Sequence, residues 1–369
     1  MHLEIPSHLE NYIGGAFVAP QQKKYFDNYN PATAELLCAV PDSTQEDVDA
    51  AVLAAKKAFP SWSTTAAEQR FLILNKIAAL IDEHLDVLAL AETNDNGKPL
   101  TLSTRVDIPR ASSNFRFFAT GLMHFASESH SMEDKAINYT LRQPIGVVGC
   151  ISPWNLPLYL FSWKIAPALV AGNCVVAKPT EVTPYTAYLL SEVCIAAGLP
   201  KGVLNIVHGL GSKIGDVISL HPDIKAISFT GGTSTGKRIA SLAAPMFKKL
   251  SLELGGKNPA IIFADCDYDE MLQTTVRSSF ANQGQICLCG SRIFVEASMY
   301  QKFKIDFIAA VSKLKVGNPF DTNTDIGALV SRPHLEKVKM YIDNAAKYGG
   351  KVIFGGATVS VDNSEDGYY

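Results

Sequence analysis

Cys287 and Cys289 stand two residues apart in GQICLCG (284–290). Such a pair can be half of a metal site, a redox couple, or a nucleophile with a bystander. Thiols at i and i+2 seldom meet disulfide geometry, and no C-x-x-C accompanies them. A zinc site needs three or four ligands. The nearest other cysteine is Cys266, and no histidine lies between it and His334. Two readings stay open: a pair of small buried hydrophobes, or one catalytic thiolate. Further polar clusters carry possible chemistry: Trp154–Asn155, Lys178–Glu181, Gly231–Gly236 and Glu253–Lys257. Two glycine-rich stretches compete for phosphate. HGLGSKIG, with Gly209, Gly211 and Gly215, misses G-x-G-x-x-G by one residue. TGGTSTGKR nearly matches the P-loop pattern, but Arg238 stands where a magnesium-binding hydroxyl belongs. Each could equally be an ordinary strand-to-helix turn.

The elements that must position these residues change character along the chain. The first third reads as helical. TQEDVDAAVLAAKKAF opens with a capping-box pattern, Thr44 then Asp47, and places Val48, Ala51, Val52 and Ala55 at helical spacing. RFLILNKIAALIDEHLDVLALAE reads as one further helix through Leu74, Ile77, Ile81, Leu85 and Leu88, and NDNGKP as a break. DIPRASSNFRFFATGLMHFA predicts a helix with Pro109 near its start and Phe115, Phe117 and Phe118 in the core. From about residue 145, short β-branched runs (IGVVGCI, CVVAKP, GVLNIVHG, IKAISFTG, KLSLELGG) alternate with helical segments. That rhythm predicts a parallel sheet covered on both faces, with ligands bound at the carboxyl ends of its strands. Each polar cluster named above follows a strand. KVIFGG, near the last residue, reads as one more strand.

Composition excludes several classes. The 369 residues fit about two domains. With 47% hydrophobic and 19% charged residues the chain can bury a core. A net charge of −3 without a basic stripe speaks against nucleic acid as a partner. The first residues, with Glu4 and Glu10, lack the basic and apolar regions of a secretory or transit signal. No apolar run is long enough to span a membrane. Seven scattered cysteines fit a reducing, cytoplasmic compartment.

Read together, ISPWNLPLYL (151–160), AKPTEVTP (177–184), SFTGGTSTGKRI (228–239), LSLELGGKNPAII (250–262) and FANQGQICLCGSR (280–292) resemble the ordered signature blocks of the NAD(P)-dependent aldehyde dehydrogenase superfamily. The resemblance runs from NYIGGAFV to the last residue. It is strongest to the branch that oxidises aminomuconic semialdehyde in tryptophan (kynurenine) catabolism, with hydroxymuconic semialdehyde and betaine aldehyde enzymes close behind. It implies that Cys287 is the nucleophile and Cys289 the bystander. The Asn155 side chain and the Cys287 N–H would form an oxyanion hole, and Glu253 would be the general base that releases the acid. Lys178 and Glu181 match the residues that hold the adenosine ribose, and a carboxylate there favours NAD over NADP. Gly231 and Gly232 would open a helix toward the pyrophosphate, with Gly236 in the same block. The family commonly has Ser at the position of Gly232. Ile151 and Trp154 would line the cofactor cleft, Leu254 would contact the nicotinamide region, and Gly211 would lie near the adenine. Arg110 offers a fork suited to a substrate carboxylate, against the alternative of a surface ion pair.

The expected architecture is therefore an α/β aldehyde dehydrogenase fold. A Rossmann-like NAD-binding domain is expected over 1–124 and 145–256, a projecting oligomerisation β-hairpin over 125–144, and a catalytic domain from 257 to 369. The chain stops at NSEDGYY, before the family's E-x-F-G-P block, whose Glu holds the nicotinamide ribose, and before the terminal strand used in assembly. The expected function is NAD-dependent oxidation of a semialdehyde to its acid, by a homo-oligomer in the full-length form. The alternative is a catalytically weak chain that binds NAD or pairs with partner subunits.

Overall fold

The computed structural model describes residues 6–362 and 364–369; Glu4 lies outside them. Its centre is a seven-stranded sheet in the order Lys249–Leu254, Ile224–Gly231, Val147–Ile151, Cys174–Lys178, Leu204–Ile206, Asn11–Ile13, Ala16–Val18. The first five strands are parallel, and the N-terminal hairpin joins the far edge through Tyr12 opposite Ile206. Of the five parallel strands, the chain lays Val147–Ile151 first, adds two on one side, then returns to add two on the other. A crevice opens at such a switch point, beyond the carboxyl ends of Val147–Ile151 and Ile224–Gly231.

Expected unbroken burial holds for Val147–Ile151, Cys174–Lys178 and Leu204–Ile206. It fails at Lys249–Leu254, where Lys249, Ser251 and Glu253 are exposed in alternation because this strand forms the sheet edge. Helices Pro157–Val170, Tyr185–Ala197, Gly211–Leu220 and Thr233–Ala243 connect the strands. The first helix, Gln45–Thr64, packs Val48, Ala51, Val52 and Ala55 into the core, and the Thr44 N–H donates to Asp47 Oδ2 at 2.9 Å.

Three sequence expectations change in the helical layer and beyond it. The segment read as one helix from 70 to 92 is two, Ala67–Glu83 and Leu85–Asn96, because His84 leaves helical backbone angles. Leu88 stays on the buried face, so the apolar stripe crosses the break and hides it from a periodicity reading. Phe117 is 63% exposed while Phe115 is buried; on the helix Ile108–Met123 the two point to different faces. KVIFGG forms no strand: residues 351–356 are exposed and irregular. A strand exists only by pairing, and among the described residues none lies beside it.

The segment before Ile108 is unusual. Leu100–Leu102 runs through a π-helical turn, Ser103–Asp107, into Ile108–Met123. Single π-turns of this kind are rare and, where they occur, frequent at functional sites, and here Asp107 is fully buried. Residues 125–144 contain an exposed antiparallel hairpin, Ser129–Met132 with Ala136–Tyr139.

Beyond 257 the chain forms a two-stranded parallel sheet, Pro259–Ile262 with Arg292–Val295, and the helices Tyr268–Phe280, Tyr300–Val311 and Arg332–Ala345. It meets the first part where two backbones cross. Gly97 has a φ of +82°, and a Cβ on Gly327 would lie 2.0 Å from the Gly97 carbonyl oxygen. Tyr368 and Leu329 extend this seam: Tyr368 N–H donates to Pro31 O, and Leu329 N–H donates to Tyr368 O.

Candidate active site

Three of the polar clusters recognised in sequence, those at Trp154, Lys178–Glu181 and Gly231–Gly232, meet at the crevice at the switch point, while Glu253–Lys257 contributes nothing to its lining. A cleft of about 590 Å³ is lined by Ile151, Trp154, Lys178, Glu181, Gly211, Gly231 and Gly232, among others. Lys178 Nζ donates to Glu181 Oε2 at 2.9 Å and to Pro179 O. Gly211 N–H donates to the other carboxylate oxygen at 3.3 Å. Burial pushes the Glu181 carboxyl up, but Lys178 and these hydrogen bonds outweigh it and hold it below the usual carboxylate range. An ionised carboxylate braced at both oxygens and facing a cleft is suited to accept from a vicinal diol.

Gly211 opens the helix Gly211–Leu220, and Gly232 caps the helix Thr233–Ala243. In TGGTSTGKR the Gly236 N–H already donates to Gly232 O. The residues between the glycines are thus the first helical turn, not the wrapped loop that a P-loop requires. Arg238, from the position of the missing hydroxyl, pairs with Asp216 on the neighbouring helix. Gly236 and Leu254 lie outside the cleft lining, and their contact explains the glycine: a Cβ on Gly236 would lie 2.5 Å from Leu254 Cδ2.

The second cluster is built across the seam. Asn155 lies in the turn after Val147–Ile151, just ahead of the helix that Pro157 begins. Its Nδ2 donates to Gln285 O at 2.8 Å, which sets the side chain against the loop carrying Cys287. That loop is held in an uncommon shape. Asn282 and Gln283 both have left-handed backbone angles, with φ of 52° and 57°. Asn282 Nδ2 donates to Asn155 O at 2.9 Å, and Gln283 Nε2 donates to Ala328 O at 2.7 Å. Backbone held in this region is stored strain that the neighbours must offset. Asn258 Nδ2 donates to both Cys287 O (2.6 Å) and Cys289 O (3.1 Å), fixing the loop from the other side. Cys287 is exposed and Cys289 buried, and burial pushes the Cys289 thiol up. Among the described residues no group of three or more His, Cys, Asp or Glu is placed to hold a metal ion.

Glu253 is the penultimate residue of the edge strand, opposite Thr230, and is exposed. It acts on a residue that sequence reasoning passed over. Lys164 is buried in the helix Pro157–Val170, with Ser228 Oγ 3.4 Å from its ammonium. Burial pulls that ammonium down to about 8, against the opposing influence of Cys150 and Glu253. A lysine inside the apolar run FSWKIAPALV was the available signal. Asn282, Asn258 and Lys98 were also missed, as was His334, whose ring lies 4.7 Å from that of Trp154. Arg110 is exposed on the helix Ile108–Met123 with its guanidinium 5.6 Å from the centre of the Tyr159 ring. Among the described residues no carboxylate pairs with it.

Strand order, crevice and thiol loop define an aldehyde dehydrogenase architecture, and a family model described as the aldehyde dehydrogenase family matches residues 17–369; the chain belongs to that family. Among curated relatives, it is 53% identical over 345 residues to 2-aminomuconic semialdehyde dehydrogenase of Danio rerio, covering 93% of this chain and 70% of the relative. It is 43% identical to 2-hydroxymuconic semialdehyde dehydrogenase of Pseudomonas sp. (strain CF600), covering 94% of this chain and 73% of the relative. Among solved structures, betaine aldehyde dehydrogenase of Staphylococcus aureus in complex with NAD+ superposes with a TM-score of 0.94 at 39% identity, covering 98% of this chain and 72% of that one.

Proposed function

We propose that this chain oxidises a carboxylated semialdehyde, of the 2-aminomuconate 6-semialdehyde type, to the corresponding acid, with NAD as the hydride acceptor. The observation that carries the reading is the Asn155 amide set against the loop of an exposed Cys287, next to a cleft with a braced, ionised Glu181. Lys178 and Glu181 would hold the adenosine ribose, Gly231 and the N-terminal turn capped by Gly232 would meet the pyrophosphate, and Ile151, Trp154 and Gly211 would flank the cofactor. The fit rests on the two-sided bracing of Glu181 and on the open space at Gly232, where a Cβ would touch nothing. NAD held there supplies the acceptor for the hydride that the carbonyl carbon must lose.

The rest of the chemistry belongs to the side chains. The Cys287 thiolate attacks the aldehyde carbon, and the carbonyl pair moves onto oxygen. Asn155 Nδ2 carries two hydrogens; one goes to Gln285 O and the other is directed at this oxyanion. Such a donor contributes about 3 kcal/mol to the transition state. Loss of hydride leaves a thioester on Cys287. Glu253 takes a proton from water, the hydroxide adds to the thioester, and the acid departs as the thiolate reforms. Arg110 meets the substrate's distal carboxylate. The division at 256/257 and the use of hairpin 125–144 in homo-oligomer assembly belong to the same reading. Its support is the burial of one continuous core before 257 and the exposure of the hairpin.

NADH formation by Cys287→Ser and Cys289→Ser tests the assignment, with muconic semialdehyde and betaine aldehyde as alternative substrates. Cys287→Ser is expected to abolish turnover, and Cys289→Ser to keep most of it. A dead Cys289 variant, or a preference for betaine aldehyde, refutes the corresponding part.

A further inference from the structure

The turn that carries Asn155 is gripped from beneath by four polar side chains of the helical layer. Asn96 Nδ2 donates to Trp154 O (2.8 Å) and Lys98 Nζ to Asn155 O (3.1 Å). Leu158 N–H donates to Glu92 Oε2 (3.3 Å), and Asn114 Nδ2 donates to Tyr159 O (3.1 Å). Lys98 is the costliest of these. Its side chain is fully buried, bonded to Asp107 and 3.6 Å from Glu92 Oε1, and both carboxylates are also fully buried. Asp107 is the last residue of the π-turn.

A buried ion cluster is poor evidence of stabilisation, since well-packed apolar residues of similar volume often do as well or better. This one is also imperfectly satisfied. Among the described residues, Glu92 Oε1 and Asp107 Oδ1 have no hydrogen-bond partner, and burial pushes the Glu92 carboxyl up to about 7 despite Lys98. What the cluster does achieve is geometric. It delivers one charged donor to one backbone carbonyl, that of the residue whose side chain reaches the thiol loop. The same carbonyl takes Asn282 Nδ2 from the strained loop itself. Asn155 O is therefore the common anchor of the helical layer and the thiol loop.

We propose that Lys98, braced by Asp107 and Glu92, is a positioning residue for Asn155: it fixes that residue's backbone so that the amide stays aimed beside Cys287, without itself touching substrate. This rests on the oxyanion role of Asn155 given above. Errors of about 1 Å in such a group can cost up to about 10²-fold in rate. A roughly tenfold or greater loss is thus expected when Lys98 is replaced.

The test is a double-mutant cycle in the full chain. Lys98→Met, which keeps the stem and removes the charge, is measured alone and with Asn155→Ala. Readouts are kcat/KM for aldehyde, the dissociation constant for NAD, and the rate of Cys287 alkylation by iodoacetamide. Expected results are a loss of kcat/KM of tenfold or more with NAD affinity and alkylation rate within about twofold, partial recovery in Lys98→Arg, and no further loss when Lys98→Met is added to Asn155→Ala. Asp107→Asn repeats the cycle with a milder change, so a Lys98 variant that does not fold leaves the question decidable. Multiplicative losses in the double variant, or a Lys98→Met enzyme with unchanged kcat/KM, overturn the proposal. Asn155→Ala with unchanged kcat/KM instead overturns the oxyanion reading beneath it.

Discussion

Asp95 offers a quantitative test of how the helical layer is held. Its carboxyl is buried, accepts from Tyr185 N–H at 2.8 Å and from the Asn28 amide, and among the described residues has no cation paired with it. Burial pushes it up from 3.8 to about 8; the two hydrogen bonds oppose this, and Glu92 adds to it. In the unfolded chain the group ionises near its ordinary value. Between the two values the folded chain keeps a proton that the unfolded chain has released. Stability from this group is therefore full below about pH 4 and is lost as pH rises through about 8. The slope is at most about 1.4 kcal/mol per pH unit. From pH 5.5 to 7.5 the expected loss is thus up to about 3 kcal/mol, a large fraction of a typical stability of about 5–15 kcal/mol. Asp95→Asn stays neutral, can still accept from Tyr185 N–H, and needs only a flip of the Asn28 amide. Urea unfolding of both proteins at pH 5.5, 6.5, 7.5 and 8.5 isolates the effect. The variant is expected to gain on the parent steadily as pH rises and then level off. Two parallel stability curves would refute the reasoning.

Three further outcomes are expected. Arg110→Ala should raise KM for a carboxylated semialdehyde tenfold or more, the loss of about 1.4 kcal/mol or more from a charge-assisted pair, while leaving KM for a neutral aliphatic aldehyde nearly unchanged; equal effects in steady-state kinetics remove the carboxylate role. Glu181→Ala should weaken NAD binding and narrow any preference for NAD over NADP, read by titration calorimetry with each nucleotide; an unaltered preference places discrimination elsewhere. Gly327→Ala should lower stability by about 3 kcal/mol, because the new methyl would lie 2.0 Å from Gly97 O and the seam must open, and thermal unfolding measures it.

The alternation of short apolar runs with helices was enough to identify the parallel sheet, since every one of those runs before residue 255 became one of its strands. Where the reading failed, the missing quantity was a neighbour. KVIFGG has strand composition but no strand beside it, and the apolar stripe of 70–92 runs through a helix break that only His84's backbone reveals. The residues of the candidate site divide in the same way. Asn155, Lys178, Glu181 and Glu253 could be picked out because each sits in a polar cluster at or just past the carboxyl end of a strand, and Cys287 because it stands in a block that resembles the family's. Lys98, Asn258 and Asn282 could not. Lys98 reads as part of a turn in NDNGKP, and its meaning lies in a carbonyl 57 residues away; Asn282 acts on one 127 residues away.

Those separations bear on how the protein folds. The grip on residues 154–159 spans 45 to 66 residues, and the link from Asn155 to the thiol loop spans 130. Closing such loops costs chain entropy before any contact rewards it, so contacts of long range form late. The helices and the inner strands can assemble while the turn bearing Asn155 is still loose and the loop from Asn282 to Cys287 is not yet forced into its left-handed backbone. During refolding, recovery of helical circular dichroism should therefore run ahead of protection of Cys289, the buried thiol of the same loop. Its neighbour Cys287, exposed in the folded chain, should pass through an interval in which its loop is not yet set against the Asn155 amide.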